Sequence, residues 1–209
     1  MAWTTPRTWI VGEKATHTLF NEQIKANLDY LVAGLAVYRA MSGTLTATSA
    51  SIPITGWATA ATAYQVLRLQ AEYVRSDVAA ATDMAAVYFN DDTGANYSSA
   101  WLWGSVDTAG SGDFINGTTI AMSQSCAGTL ADANCYGHFD AWILQPNSTT
   151  IWKALTAISG VVHTTLNEYG LAQSNGIWKS TAAITKITIV PTLGLNLLAG
   201  LTWRLYGYL

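Results

Sequence analysis

Short β-type runs separated by turn residues dominate this chain from residue 64 onward, and they constrain its fold most strongly. In Tyr64–Tyr73 apolar and polar residues alternate, which predicts a strand with one buried and one solvent-facing side. Many such runs, with turns every eight to twelve residues, indicate a β-sandwich or barrel. The other predicted strands are Met84–Phe89, Tyr97–Trp103, Phe114–Met122, Phe139–Leu144, Ile151–His163, Leu166–Leu171, Ile177–Ala182, Thr185–Val190 and the alternating last nine residues.

A different pattern occupies the first forty residues. Pro6 and Gly12 interrupt residues 1–16, which predicts an extended arm, and residues 17–42 are predicted to form a helix. Its apolar positions alternate four and three apart, as in a heptad seam with an Asn at the preceding a position. Two interpretations stay open: an amphipathic helix lying on its own domain, or a short parallel bundle whose register the Asn sets. The seam consists of Asn21, Ile24, Leu28, Leu31, Leu35 and Tyr38.

Composition limits the classes of partner. Only 11% of residues are charged whereas 50% are hydrophobic and nine are Trp, so we expect part of the surface to meet other subunits. The formal charge of -3 lacks the basic patch that nucleic-acid binding needs. There is no apolar run long enough for a membrane span and no signal-like segment near the start, so neither membrane insertion nor secretion is expected.

No residue pattern predicts catalysis, a cofactor or a strong metal site, so we expect a protein that is not an enzyme. Asn90, Asp91 and Asp92 resemble part of a calcium loop, but no Glu closes it, and a structural turn is favoured over a weak cation site. Asp113 and Asp140 could form a glycosidase pair only if the fold brings them together. Cys126 and Cys135 could close a loop as a disulfide or stay as two thiols.

Three segments together resemble tailed-bacteriophage virion structural proteins. The start reads W-T-T-P-R-T-W-I-V-G-E and continues into a helix of the type N-x-x-I-x-x-N-L-x-x-L. The middle F-N-D-D-T-G-A-N-Y is similar to a strand–turn element of their β-sandwich domain, and the end, A-G-L-T-W-R-L-Y-G, to their closing hairpin, with Leu201 where Ser is usual. The residues that match in the middle are Arg75, Asp83, Asn90, Asp92 and Tyr97.

This resemblance implies a non-enzymatic virion component, assembled in the host cytoplasm. We expect an N-terminal docking arm (1–16), an oligomerisation helix (17–42) that joins a homotrimer, and a jelly-roll-like antiparallel β-sandwich (43–209). The expected docking contact on another capsid or tail protein consists of Trp3, Pro6, Arg7 and Trp9, because aromatic residues and Arg concentrate in interface hot spots. The alternatives are a capsid cement protein and a module that binds a host surface glycan through Trp101 and Trp103.

Overall fold

Twelve β-strands make up the residues described by the structure, a computed structural model that covers residues 16, 18, 38–57, 64–105, 107–163 and 168–208. In chain order they are β1 (Tyr38–Thr44), β2 (Ile52–Thr55), β3 (Val66–Val74), β4 (Thr82–Phe89), β5 (Tyr97–Gly104), β6 (Ala109–Gly117), β7 (Ile120–Ala127), β8 (Gly137–Leu144), β9 (Lys153–His163), β10 (Glu168–Trp178), β11 (Lys186–Pro191) and β12 (Thr202–Tyr208).

The strands form two antiparallel sheets stacked as a sandwich, as the sequence predicts. The large sheet has eight strands in the order β1-β12-β3-β8-β9-β10-β5-β6, and the small sheet has four in the order β2-β11-β4-β7. Their facing sides share one hydrophobic core, to which β3 contributes Leu67 and Leu69 and the small sheet contributes Phe89 and Ile187, all fully buried. The alternation read from β3 is therefore confirmed, with its apolar side turned to the small sheet.

Strand β7 is the edge of the small sheet, yet its free backbone groups do not face solvent. Ser174 on β10 accepts a hydrogen bond from the Ser123 N–H (3.1 Å), and Ser159 on β9 donates one to the Ser123 carbonyl (2.5 Å). Ser99 on β5 accepts a longer bond from the Ala121 N–H (3.4 Å). The three hydroxyls belong to buried serines of the large sheet. They supply the partners that a buried edge strand would otherwise lack.

Two glycines of the large sheet allow β7 to approach closely. A Cβ atom at Gly176 would overlap the fully buried Ile120 side chain, and one at Gly137 would overlap the Ser125 carbonyl. The small residues on this face therefore serve packing, since larger side chains would hold the two sheets apart.

The structure corrects three points of the predicted secondary structure. The prediction of a helix to residue 42 is wrong at its end: Tyr38–Thr44 is β1, paired with β12, so Tyr38 lies in a strand and the sandwich begins before residue 43. Pairing along an existing sheet edge outweighed the helical spacing of Leu35 and Tyr38. The predicted strand Phe114–Met122 contains a turn, where Asn116 has a φ of 55°. The four-residue β2 was not predicted.

The remaining correction concerns two predicted strands, Leu166–Leu171 and Ile177–Ala182. They are replaced by the single strand β10, and residues 179–185 lie outside any strand. The pair Asn175-Gly176 is a turn signal in sequence. Here it lies within a strand, because β5 and β9 pair on both sides of it and Ile120 occupies the space above the glycine.

Removing the serine hydroxyls under β7 should destabilise the sandwich. Ser159→Ala and Ser174→Ala each leave a buried backbone group of Ser123 unpaired, which costs about 1–3 kcal/mol of unfolding free energy. Urea unfolding followed by tryptophan fluorescence measures this. The control Ser111→Ala, at an exposed site on β6, should change stability by less than about 0.5 kcal/mol. Equal stability of all three variants would contradict the role given to these serines.

Candidate functional site: the outer face of the large sheet

The outer face of the large sheet, which points away from the small sheet, has a polar half on β12, β3 and β8. There the strands keep the alternation of buried apolar and outward polar residues that is usual for an antiparallel sheet with one solvated face. The outward residues of β3 are Arg68, Gln70 and Glu72, and Asp140 lies opposite Gln70 on β8.

Ion pairs organise this polar half. The Arg68 guanidinium binds both carboxylate oxygens of Asp140, with Nε 2.8 Å from Oδ1, and lies 4.8 Å from the centre of the Trp142 ring. Arg204 Nη1 lies 3.0 Å from Glu72 Oε1. The hydrogen bond to Asp140 raises the pKa of Arg68, and the bond to Glu72 raises that of Arg204. Two cations and two anions therefore neutralise each other across three adjacent strands.

The neighbouring part of the outer face, on β5, β9 and β10, carries no charge, and Asp113 of the edge strand β6 lies at its border, opposite Ala100. Residues 98–104, 154–162 and 169–177, which belong to β5, β9 and β10, include no Asp, Glu, Lys or Arg. Large apolar side chains point outward there and are solvent-exposed, by 66% for Leu102, 68% for Ile158 and 55% for Leu171. The outward polar side chains among them, such as Gln173 between Leu102 and Ile158, are uncharged. We call this surface the apolar face and define it by Leu102, Ile158, Val162, Tyr169 and Leu171.

Trp101 and Trp103, predicted as receptor contacts, point to the inner side of β5. Trp101 pairs with the buried Ser174, and Trp103 with the buried Ala172. A Cβ atom at Gly112 would lie 2.6 Å from the Trp101 ring, so the ring lies directly over that glycine of β6. Trp101 also contacts Phe114 edge to face, at 5.0 Å between centroids. Both tryptophans are half-buried, so each keeps part of its surface open beside β6.

The Asn90–Asp92 loop is built as a turn whose polar groups bind protein partners. Asn90 and Asp91 have φ values of 53° and 58°, positive at both central positions as in type I′ turns, and the Asp92 N–H donates to the Phe89 carbonyl. Asn90 Oδ1 accepts from the backbone of Lys186 (3.1 Å), and Asp91 pairs with the Lys186 ammonium.

Asp92 connects the same loop to the core through a hydrogen bond with the buried Trp178. Its carboxylate accepts hydrogen bonds from the indole N–H of the buried Trp178 (2.7 Å), from the Gly94 N–H and from the Asn96 amide. Desolvation acts to raise the pKa of Asp92, but these hydrogen bonds outweigh it, so the pKa lies below its usual value. Among the residues that the structure describes, no group of three or more His, Cys, Asp or Glu is arranged to hold a metal.

The remaining residues of the matched middle segment also make internal contacts. Arg75 donates to the carbonyls of Ala133 and Ala131. Asp83 is buried and accepts hydrogen bonds from the backbone of Leu193 and Gly194. The Tyr97 hydroxyl accepts from the Phe89 N–H. These side chains join strands to neighbouring loops.

Cys126 and Cys135 are both buried and no disulfide joins them, so the thiol alternative holds, and burial raises the pKa of Cys126 to about 12. Asp113 and Asp140 do not meet: three strands lie between β6 and β8, which separates these carboxylates by roughly 19 Å at the usual strand spacing. A glycosidase pair requires about 5–10 Å.

The arm residues Trp3, Pro6, Arg7 and Trp9 lie outside the described residues, as do the helix positions from Asn21 to Leu35. The apolar face and its polar neighbour were not predicted as sites. Three charge-free runs of seven to nine residues were visible in the sequence, but only the pairing of β9, β10 and β5 places their outward residues side by side.

No protein-family model matches this chain, and comparisons with curated proteins and with solved structures found no match. Within the described part of the chain, no helix has the length and apolar character needed to cross a membrane.

The Asp92 hydrogen bonds predict a pH-dependent stability difference. Asp92→Ala leaves the Trp178 N–H without its acceptor and should lower the unfolding free energy by about 1–3 kcal/mol at pH 7. Because the folded-state pKa is lowered, this stabilisation is present above about pH 4 and is lost as the pH falls through the folded-state pKa.

Urea unfolding at pH 7 and at pH 2.5 tests this expectation, with Asp91→Asn as the control. Asp91 is an exposed carboxylate of the same loop, and Asn tolerates the positive φ of this position, so loss of the charge should change stability by less than about 1 kcal/mol. A deficit in Asp92→Ala that is equally large at both pH values would contradict the role of its charge.

Proposed function

We propose that this protein is a non-enzymatic structural component of a tailed-phage virion, in which three copies associate through the apolar face. The virion assignment rests on the resemblance of the three sequence segments. The observation that carries the assembly role is the absence of charged side chains on β9, β10 and β5, where Leu102, Ile158 and Leu171 are exposed, beside strands β12, β3 and β8, which carry ion pairs on the same face. A solvated antiparallel face is ordinarily polar.

The size of the apolar face is that of a functional surface patch. The outward positions, five each on β9 and β10 and four on β5, cover roughly 450 Å² at the usual strand spacing, and this area includes uncharged polar side chains such as Gln173 and Asn175. The largest apolar patch of a typical monomer covers about 300–600 Å² and is often functional. Elsewhere in the described residues, exposed large apolar side chains lie both in loops, among them Leu130, Trp152, Leu193 and Leu195, and in strands β3, β6 and β8, namely Tyr73, Phe114, Ile115 and Leu144.

A second copy of the chain is the occupant that fits this face. An uncharged surface excludes a partner that would bring unpaired charges, because a buried charge without a counterion is costly. The same face on another copy is apolar and carries only uncharged polar groups such as Gln173 and Asn175. Three copies around a threefold axis can turn these faces towards one another, which leaves the polar half of each sheet at the surface.

The finer parts of this proposal are the docking arm over residues 1–16, with Trp3, Arg7 and Trp9 as its contacts, and the jelly-roll-like connection of the strands. A capsid cement protein is the alternative within the same class, in which the arm lies along the shell and removal of the protein lowers capsid stability.

Charges placed on the apolar face should separate the copies. Leu102→Lys and Leu171→Lys should each convert a trimer into monomers, measured by light scattering after size-exclusion chromatography, with an unchanged circular dichroism spectrum. Leu195→Lys, at a loop position that is 81% exposed, serves as the control and should stay trimeric. A wild-type mass of one chain, or trimers in both sheet variants, would contradict the proposed assembly.

Deletion of residues 2–12 tests docking separately. The shortened protein should still form trimers but should no longer be incorporated into particles, because the arm supplies the contact to the other virion protein. Quantitative immunoblotting of purified particles measures incorporation, with full-length protein as the reference. Normal incorporation of the shortened chain would contradict docking through the arm and leave the assembly through the apolar face untouched.

A further inference from the structure

A bulge in β3 turns an additional aromatic side chain to the outer face. Ala71 pairs with Phe139 and Val74 pairs with Gly137, so two residues of β3, Glu72 and Tyr73, stand opposite one residue of β8. In a regular strand Tyr73 would follow Ala71 onto the buried side. The bulge reverses this: Tyr73 is 51% exposed and Val74 is fully buried.

The bulge places Tyr73 in an unfavourable backbone conformation. Its φ of 58° lies in the left-handed region, which is a clear outlier for a bulky residue other than Gly, Asn or Asp. Bulges often re-aim a side chain next to a functional site, and a strained residue held by its surroundings is a reason to look for function there. Packing does not account for the strain, since half of this side chain stays in solvent.

Tyr73 meets a second exposed tyrosine from another part of the chain. The ring centroids of Tyr73 and Tyr136 are 4.9 Å apart, and Tyr136 is 42% exposed. Tyr136 directly precedes β8, and its carbonyl accepts a hydrogen bond from the Val162 N–H. Together the two rings form an aromatic wall.

A groove of about 540 Å³ lies beside this wall, within the range of small-molecule sites. Its polar lining comes from Gln70, Glu72, His138 and Asp140. Gln70 donates to Asp140 (3.2 Å), while Arg68 and Arg204 hold the two carboxylates. We call this site the tyrosine groove.

The chemistry of the groove selects for a neutral polyhydroxylated ligand. Each carboxylate is already paired with an Arg, so the site offers no uncompensated charge to a phosphate or an ammonium group. It does offer fixed amide, carboxylate and imidazole groups that can donate to or accept from hydroxyls. The tyrosine rings offer an apolar surface that matches the C–H face of a pyranose. A sugar ring combines both properties.

We propose that the tyrosine groove binds a neutral saccharide, with the sugar ring on Tyr73 and Tyr136 and its hydroxyls bound to Gln70, Glu72, His138 and Asp140. The groove lies within one chain, so this site depends neither on trimer formation nor on a place in a virion. It is also distinct from Trp101 and Trp103, which lie on the other side of the large sheet.

Direct binding tests this proposal. The probes are neutral polysaccharides in native affinity gels (dextran, amylopectin, galactomannan and xyloglucan), followed by an array of neutral and acidic oligosaccharides. Wild-type protein should bind at least one neutral glycan, and calorimetry then gives its dissociation constant. An absence of binding to every neutral glycan, or binding to acidic glycans alone, would overturn the proposal.

Variants then locate the site. Tyr136→Ala should weaken binding about tenfold or more, as truncation of an aromatic anchor commonly does, whereas Tyr136→Phe should retain most of the affinity. Tyr73→Gly is the sharper variant. It removes the ring and also relieves the left-handed backbone strain, so binding should fall at least tenfold while the melting temperature stays the same or rises.

Trp152→Ala is the matched control for these variants. Trp152 is 56% exposed and lies just before β9, at the opposite end of that strand from the segment that contacts Tyr136. Its loss should leave the affinity unchanged. Unaltered affinity in both Tyr73→Gly and Tyr136→Ala, or an equal loss in Trp152→Ala, would overturn the assignment to the tyrosine groove.

Discussion

The sandwich depends on the hydrogen bonds that buried serine hydroxyls of the large sheet make with the backbone of the edge strand β7. Strand β7 lies against β8, β9, β10 and β5, where unpaired backbone groups could not reach water. Hydroxyls from Ser159 and Ser174 take the place of a neighbouring strand, and Gly176 gives Ile120 the room to approach. This arrangement accounts for the small residues Ser159, Ala172 and Ser174 on the inner side of β9 and β10. The two sheets approach closely at β7 because the residues that face this strand are small.

That close packing on one side leaves the opposite side of the large sheet available for binding. Its two parts differ in chemistry: one is held by the ion pairs of Arg68 and Arg204, and the other, on β5, β9 and β10, has no charged side chain. The first part carries the strained Tyr73 and the groove beside it, and the second the apolar face. A single sheet can therefore hold a ligand and a neighbouring subunit on adjacent surfaces, and Ile158 lies at the border between them.

The strands could be predicted wherever apolar and polar residues alternate clearly, as in β3 and β12, because a strand with one buried face has an apolar residue at every second position. Predictions failed where a long-range partner overrode a local signal. Asn175-Gly176 indicates a turn locally, but two neighbouring strands hold it extended. Tyr38 fits a heptad, but the edge of β12 pairs with it. The strands that pair with these two segments lie too far away in the sequence to be recognised from a local pattern.

The sequence by itself determined that the chain is mainly β, that its strands have an apolar side, and that too few charges exist to cover every surface. Only the tertiary structure decided which uncharged runs become neighbours, that a bulge turns Tyr73 outward to Tyr136, and that Trp101 and Trp103 face inward. The physical reason is that side-chain alternation is a local property of each strand, whereas register and strand order follow from pairing between residues far apart in the chain.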